Sequence, residues 1–142
     1  MSASAFLDTN VLVYAVDEDE PVKRDLARAL LGSQPVSGFV LSPQILSEFY
    51  VAVTRKLARP IAESAAAGMV DQLALLPLVA FDGTLVKAAA AISQASRLAY
   101  WDGLVVASAA AAGCDRILTE DLNDGQVIGS VRIENPFRQR AA

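Results

Sequence analysis

Asp8, Glu48, Asp102 and Asp121 are the residues of this chain whose types and spacing could do chemistry. Asp8 follows the apolar run ending on Phe6-Leu7, and Asp121 follows the run Arg116-Ile117-Leu118-Thr119 and Glu120. An apolar run that stops on an acid reads as a buried strand delivering a carboxylate to its C-terminal end, the edge where open α/β sheets bind ligands. Glu48 is the only charged residue between Ser42 and Thr54. It lies beside an apolar helical stripe of Ile45, Leu46, Phe49, Tyr50 and Val53, where an unpaired carboxylate is costly. Asp102 opens an otherwise uncharged helical stretch. Each acid also has a plain structural reading: Asp8 and Asp102 as helix caps, Asp121 as a loop acid. Brought to one edge, however, these carboxylates would repel and raise one another's pKa, and a cation would neutralise them. Mg²⁺ and Mn²⁺ take oxygen ligands and keep waters. Water activated in this way attacks a phosphodiester in line while the cation stabilises the charge on the phosphoryl oxygen.

The composition narrows the chemistry to this kind. The chain has 142 residues and no histidine. That excludes Ser-His-Asp and Cys-His nucleophilic catalysis and the paired-histidine route to RNA cleavage. A single cysteine, Cys114, permits no intrachain disulfide and, without histidine, makes a zinc site improbable. It also points to a reduced, cytoplasmic compartment. The first basic residue is Lys23, so the charged start of a signal peptide is absent, and no long uninterrupted apolar stretch predicts a membrane span. A net charge of −4 argues against nucleic-acid binding by bulk charge. Hydrophobic residues are 54% of the chain, enough for a core, and the length predicts one domain over 1–142 with a loose tail at about 138–142.

The elements that must position the acids alternate. Strands are predicted at 3–7, 36–41, 78–81 and 116–119, with short candidates at 127–128 and 131–133. Helices are predicted from Val11, from Pro21, from Pro43 behind the cap Ser42, over 61–76, from Asp82 to about Arg97, and over 104–112 up to Gly113. This alternation predicts a mostly parallel sheet with helices on both faces.

Asp8-Thr9-Asn10, Glu48, Tyr100-Trp101-Asp102-Gly103 and Thr119-Glu120-Asp121, with the closing Asn135-Pro136-Phe137, resemble the PIN-domain nucleases, and in spacing and length the toxin ribonucleases of the VapBC toxin–antitoxin type. The resemblance covers nearly the whole chain. It implies a PIN-like three-layer α/β/α sandwich and an acidic Mg²⁺ or Mn²⁺ site of Asp8, Glu48, Asp102 and Asp121. Thr9, Asn10 and Thr119 would support that site. It further implies an endoribonuclease that forms a homodimer and is held inactive by an antitoxin. Gly103 departs from the family pattern and is expected to loosen the start of its helix. Asp124 is an added acid, read as a turn residue in preference to a further metal ligand.

Arg55, Lys56 and Arg59 are candidates for RNA contact, and Lys23, Arg24 and Arg28 form a second basic strip; solvated helix faces and favourable helix ends are the plainer reading of both. The aromatic residues read as core by default, with Trp101 lining the groove as the other reading. Phosphatases of the haloacid dehalogenase type and response-regulator receivers also place an acid after the first strand. The former need a second Asp where Asn10 stands, and both need a Lys that is missing between Arg97 and Ala142. A PIN-like module that only binds RNA or protein is the remaining alternative; its mark would be a lost acid, and all four are present.

Overall fold

β1 (Ala5–Leu7) is the strand beside which the sheet is laid out. All three of its residues are buried, as a strand covered on both faces requires. It pairs in parallel with β2 (Phe39–Val40) on one side and β3 (Arg116–Leu118) on the other, and β3 pairs in parallel with β5 (Val131–Glu134). β4 (Val127–Ile128) runs antiparallel to β5 at the edge, giving the order β2-β1-β3-β5-β4. This computed structural model describes residues 4–138.

Among the described residues six α-helices complete the fold: α1 (Thr9–Tyr14), α2 (Pro21–Leu31), α3 (Pro43–Val51), α4 (Glu63–Leu73), α5 (Gly83–Ser96) and α6 (Tyr100–Ala111). They fall into two groups. α1 packs on α2 and α3, and α3 on α4, while α5 and α6 pack on each other and α6 lies across β1, β3 and β5. The predicted α/β sandwich with a mostly parallel central sheet is the observed fold. The core joins Phe6, Phe39, Phe49, Leu104 and Ile117, each almost wholly buried. Among the described residues no helix is long and apolar enough to cross a membrane.

Local sequence explains most of the boundaries. Ser42 caps α3 by accepting from the Ile45 N–H, with Pro43 in the first turn, and Asp82 caps α5 by accepting from the Leu85 N–H at 2.9 Å. Gly113 follows the end of α6 with φ +73°, a conformation glycine adopts freely.

Three expectations are corrected. The segment 78–81 is not a strand: only Leu78 bridges Leu41, through hydrogen bonds from Leu41 N–H to Pro77 O and from Val79 N–H to Leu41 O. Proline cannot donate to a ladder, and the chain turns outward toward exposed Phe81. The third helix does not run regularly toward Pro60. After Val51 it widens into a π-helical turn, Ala52–Lys56, with the Leu57 N–H on Ala52 O. Gly103 does not loosen α6. It is buried, and a Cβ there would stand 2.7 Å from Ala89 O, so glycine is what lets α6 approach α5. Of the expected tail, Arg138 is tied to Asp124 at 3.2 Å, and the rest lies outside the described residues.

Candidate active site

Parallel pairing of β1 and β3 places their C-terminal ends side by side, Leu7 opposite Leu118. The residues that follow, Asp8 and Thr119, are therefore neighbours although 111 positions apart. The Asp8 N–H donates to Leu118 O at 3.1 Å, which extends the ladder by one rung. Asp8 is also the N-cap of α1, accepting from the Thr9 N–H at 2.8 Å. The cap reading of Asp8 thus holds, and the same residue stands at the carboxyl end of the sheet. Its second oxygen accepts from the Thr119 hydroxyl at 2.8 Å.

Thr119 is fully buried and serves three groups. While donating to Asp8 it accepts from Asn10 Nδ2 and from the Asp121 N–H, both at 3.1 Å. Asn10 Nδ2 also donates to Asp121 Oδ2 at 3.0 Å, and Asn10 Oδ1 accepts from the Glu120 N–H at 3.3 Å. The polar residues of the first motif therefore fix the last acid. Thr9 does the same for Glu48, donating to Oε2 at 2.8 Å, while Gln44, one turn earlier on α3, donates to Oε1 at 3.1 Å.

Asp102 is not a helix cap. The cap position of α6 is Ala99, and Asp102 stands in the first turn, half-buried, where the helix dipole favours a negative charge. Burial pushes its carboxyl pKa up, and the charges of Asp121 and Glu48 push the same way. Asp8 is pushed up to about 6, above all by burial; hydrogen bonds from Thr119 and Thr9 oppose the shift, and the charges of Asp121 and Glu48 add to it. Asp8 and Asp102 thus each feel the charges of Asp121 and Glu48. Among the described residues no three acidic, histidine or cysteine side chains stand close enough to chelate one ion together.

The other candidates divide. Asp124 accepts from the Asn135 N–H at 2.8 Å and pairs with Arg138, holding the closing loop as the turn reading requires. Lys56 lines a hollow of about 370 Å³ together with Thr9 and Glu48. Arg55 is exposed on the same π-helical turn, and Arg59 points to Asp19, with Nη2 at 3.0 Å from Oδ1. The second basic strip is neutralised by acids. Arg24 pairs with Glu18 and Asp25, Arg28 lies 3.7 Å from Glu18, and Lys23 binds Glu120 at 3.0 Å.

Sequence reasoning missed Gln44 and the triad of Tyr14, Lys23 and Glu120. The Tyr14 hydroxyl donates to Glu120 Oε1, Lys23 lies over the Tyr14 ring, and Phe137 packs edge-on against it. The triad anchors the residue between Thr119 and Asp121. Spacing of four from Glu48 was the available signal for Gln44; nothing local pointed to the triad.

An α/β protein with an acidic cluster at the carboxyl edge of a parallel sheet is the class that this fold and site define. The PIN domain model matches residues 5–124, and the chain belongs to the PIN domain family. The chain is similar in fold to a toxin–antitoxin complex from Klebsiella pneumoniae, with TM-score 0.70 and 20% identity over 94% of this chain and 98% of that one. It is similar also to FitAB bound to an IR36 DNA fragment, with TM-score 0.72 and 21% identity over 96% and 98%. A third similar structure is Mycobacterium tuberculosis VapC20, a sarcin–ricin loop cleaving toxin, with TM-score 0.61 and 17% identity over 80% and 87%. Among curated protein sequences, none matches.

Proposed function

We propose that this chain is an Mg²⁺- or Mn²⁺-dependent endoribonuclease, the cytoplasmic toxin of a toxin–antitoxin pair, acting as a homodimer. The observation that supports the proposal is the hydrogen-bonded chain joining Asp8 to Asp121 through Thr119 and Asn10, with Glu48 held on Thr9, at one sheet edge of a PIN domain; the charges of Asp121 and Glu48 also reach Asp102. The toxin reading is supported by likeness in fold to a toxin–antitoxin complex and to a sarcin–ricin loop cleaving toxin.

The donor set fits a hard cation. It offers carboxylate oxygens and no sulfur or imidazole, and its mutual repulsion is what positive charge relieves. Mg²⁺ is held by one or two carboxylates with waters completing its shell, so three chelating side chains are not needed. Asp8 and Asp121 would hold it, with Glu48 and Asp102 reached directly or through water. When bound, the ion supplies Lewis-acid stabilisation of a phosphoryl oxygen and lowers the pKa of water. The chain's own part is orientation. Thr119 and the Thr9 N–H hold both Asp8 oxygens, Asn10 holds Asp121, and Thr9 and Gln44 hold Glu48. Lys56, which lines one hollow with Glu48 and Thr9, would offset phosphate charge at this acidic edge.

The test is cleavage of a cellular RNA pool with Mg²⁺ or Mn²⁺, with EDTA and Asp8→Asn as controls. Discrete fragments with 5′-phosphate and 3′-hydroxyl ends, dependent on metal and on Asp8, are expected. Ends carrying 2′,3′-cyclic phosphate would show that the ribose hydroxyl attacks and would sink the water mechanism.

A further inference from the structure

Trp101 is 61% exposed and Phe81 52% exposed, although both are large apolar rings. They line one open groove of about 450 Å³ with Pro43, Leu104, Gln44 and Glu48. Tyr100 packs edge-on against the indole at 5.1 Å between ring centres, which supports the ring where it stands. Glu48 belongs to this groove and to the hollow beside Thr9, so the apolar surface is continuous with the acidic edge. Asp102 is the next residue after Trp101.

The groove wall also holds an unmet acceptor. Gln44 Nε2 donates to Glu48 Oε1 at 3.1 Å and to Trp101 O at 3.3 Å. Both neighbours are acceptors, so the amide cannot turn over without placing oxygen against oxygen. Among the described residues Gln44 Oε1, shielded from water, has no hydrogen-bond partner. Such a group is costly to leave unmade.

We infer that this groove is a nucleobase subsite: one unpaired base next to the cleaved phosphodiester stacks on Trp101 and Phe81, with Gln44 at its edge. The inference rests on reading the carboxylate site as one that cleaves RNA. A strand with its phosphodiester at the acids carries a flanking base over the adjoining surface. An aromatic face accepts a base of any sequence, whereas the carboxylates repel the backbone unless a cation is present. The subsite therefore selects for single-stranded RNA, whose bases are free to leave the stack.

Trp101 is the only tryptophan of the chain, so its emission reports on the groove alone. The experiment titrates the full chain with short unstructured oligoribonucleotides and with an abasic strand of the same backbone. Ca²⁺ replaces Mg²⁺, anisotropy of a labelled strand gives the affinity, and cleavage is assayed separately in Mg²⁺. Base-bearing strands are expected to quench the emission and abasic ones to leave it unchanged. Trp101→Ala should weaken binding about tenfold or more and Trp101→Tyr should largely restore it. Strands that bind and are cleaved with no change in emission, and with equal affinity for Trp101→Ala, would overturn the subsite while leaving the nuclease intact. That result would turn the groove toward a protein partner. Quenching by abasic strands as strong as by base-bearing ones would also overturn it. A folded protein that neither binds nor cleaves RNA would remove both readings together.

Discussion

Thr119 Oγ1 donates a 2.8 Å hydrogen bond to Asp8 Oδ2, joining the ends of two adjacent parallel strands. The same oxygen accepts from Asn10 and from the Asp121 backbone, so one buried hydroxyl sets the first acid against the last. Thr119→Val keeps the shape and removes the hydroxyl, leaving partners unmatched in a buried site. It is expected to cost about 1–3 kcal/mol in urea unfolding. It should also reduce cleavage sharply, with Thr119→Ser recovering most of both. Unchanged stability and rate in Thr119→Val would remove Thr119 from the site.

Glu48 is exposed, and its carboxylate is held by Thr9 and Gln44. Glu48→Gln preserves volume and removes the charge. Stability should stay within about 0.5 kcal/mol, as for exposed positions generally. Metal-dependent cleavage should fall by about tenfold to a hundredfold. A rate equal to that of the unaltered chain would exclude Glu48 from the cluster.

Asp8 gives the protein a pH dependence of definite sign. Its folded pKa is about 6 against 3.8 for the free group, because burial disfavours the charge. The folded state therefore holds this proton to higher pH than the unfolded chain does. Its contribution to stability is fully present below about pH 4 and is lost as pH rises through about 6. The difference in unfolding free energy between the metal-free chain and Asp8→Asn should move by about 3 kcal/mol against the unaltered chain between pH 4 and 7.5. Added Mg²⁺ should raise the melting temperature more at pH 7.5 than at pH 5, since protons compete for the same carboxylate. Equal metal shifts at both pH values would show that Asp8 is not involved.

Gly103 admits no side chain at the α5–α6 contact, where a Cβ would meet Ala89 O at 2.7 Å. Backbone cannot yield there as a flexible side chain would. Gly103→Ala is expected to destabilise the protein by about 1–3 kcal/mol, as overpacking does. It should also weaken metal-dependent cleavage, because the first turn of α6 carries Asp102. Thermal melting and a metal titration measure the two effects; a melting curve unchanged from the parent would contradict the close packing.

Part of this was legible in the chain before any folding. Asp8, Thr119 and Asp121 follow apolar runs that are strands in fact, and Ser42-Pro43 and Asp82 mark helix starts that the structure keeps. Such signals are local, set by caps, turns and the period of apolar residues. The segment 78–81 was misread because its apolar run looks like a strand, while Pro77 and the outward turn leave only a single bridge. Gly103 was misread because its role depends on Ala89, across a helix pair.

The sequence alone determined the fold class and which side chains are available for chemistry. No histidine and one cysteine leave carboxylates as the main candidates, and strands alternating with helices implied a parallel sheet. Tertiary structure alone decided the pairings. Which strand lies beside β1 places Thr119 on Asp8, which loop returns to α2 places Glu120 between Tyr14 and Lys23, and the seating of α6 against α5 turns Trp101 outward beside Glu48. These contacts join residues tens of positions apart. Strand order and helix packing are settled by burial of the whole core at once, and no local pattern encodes them.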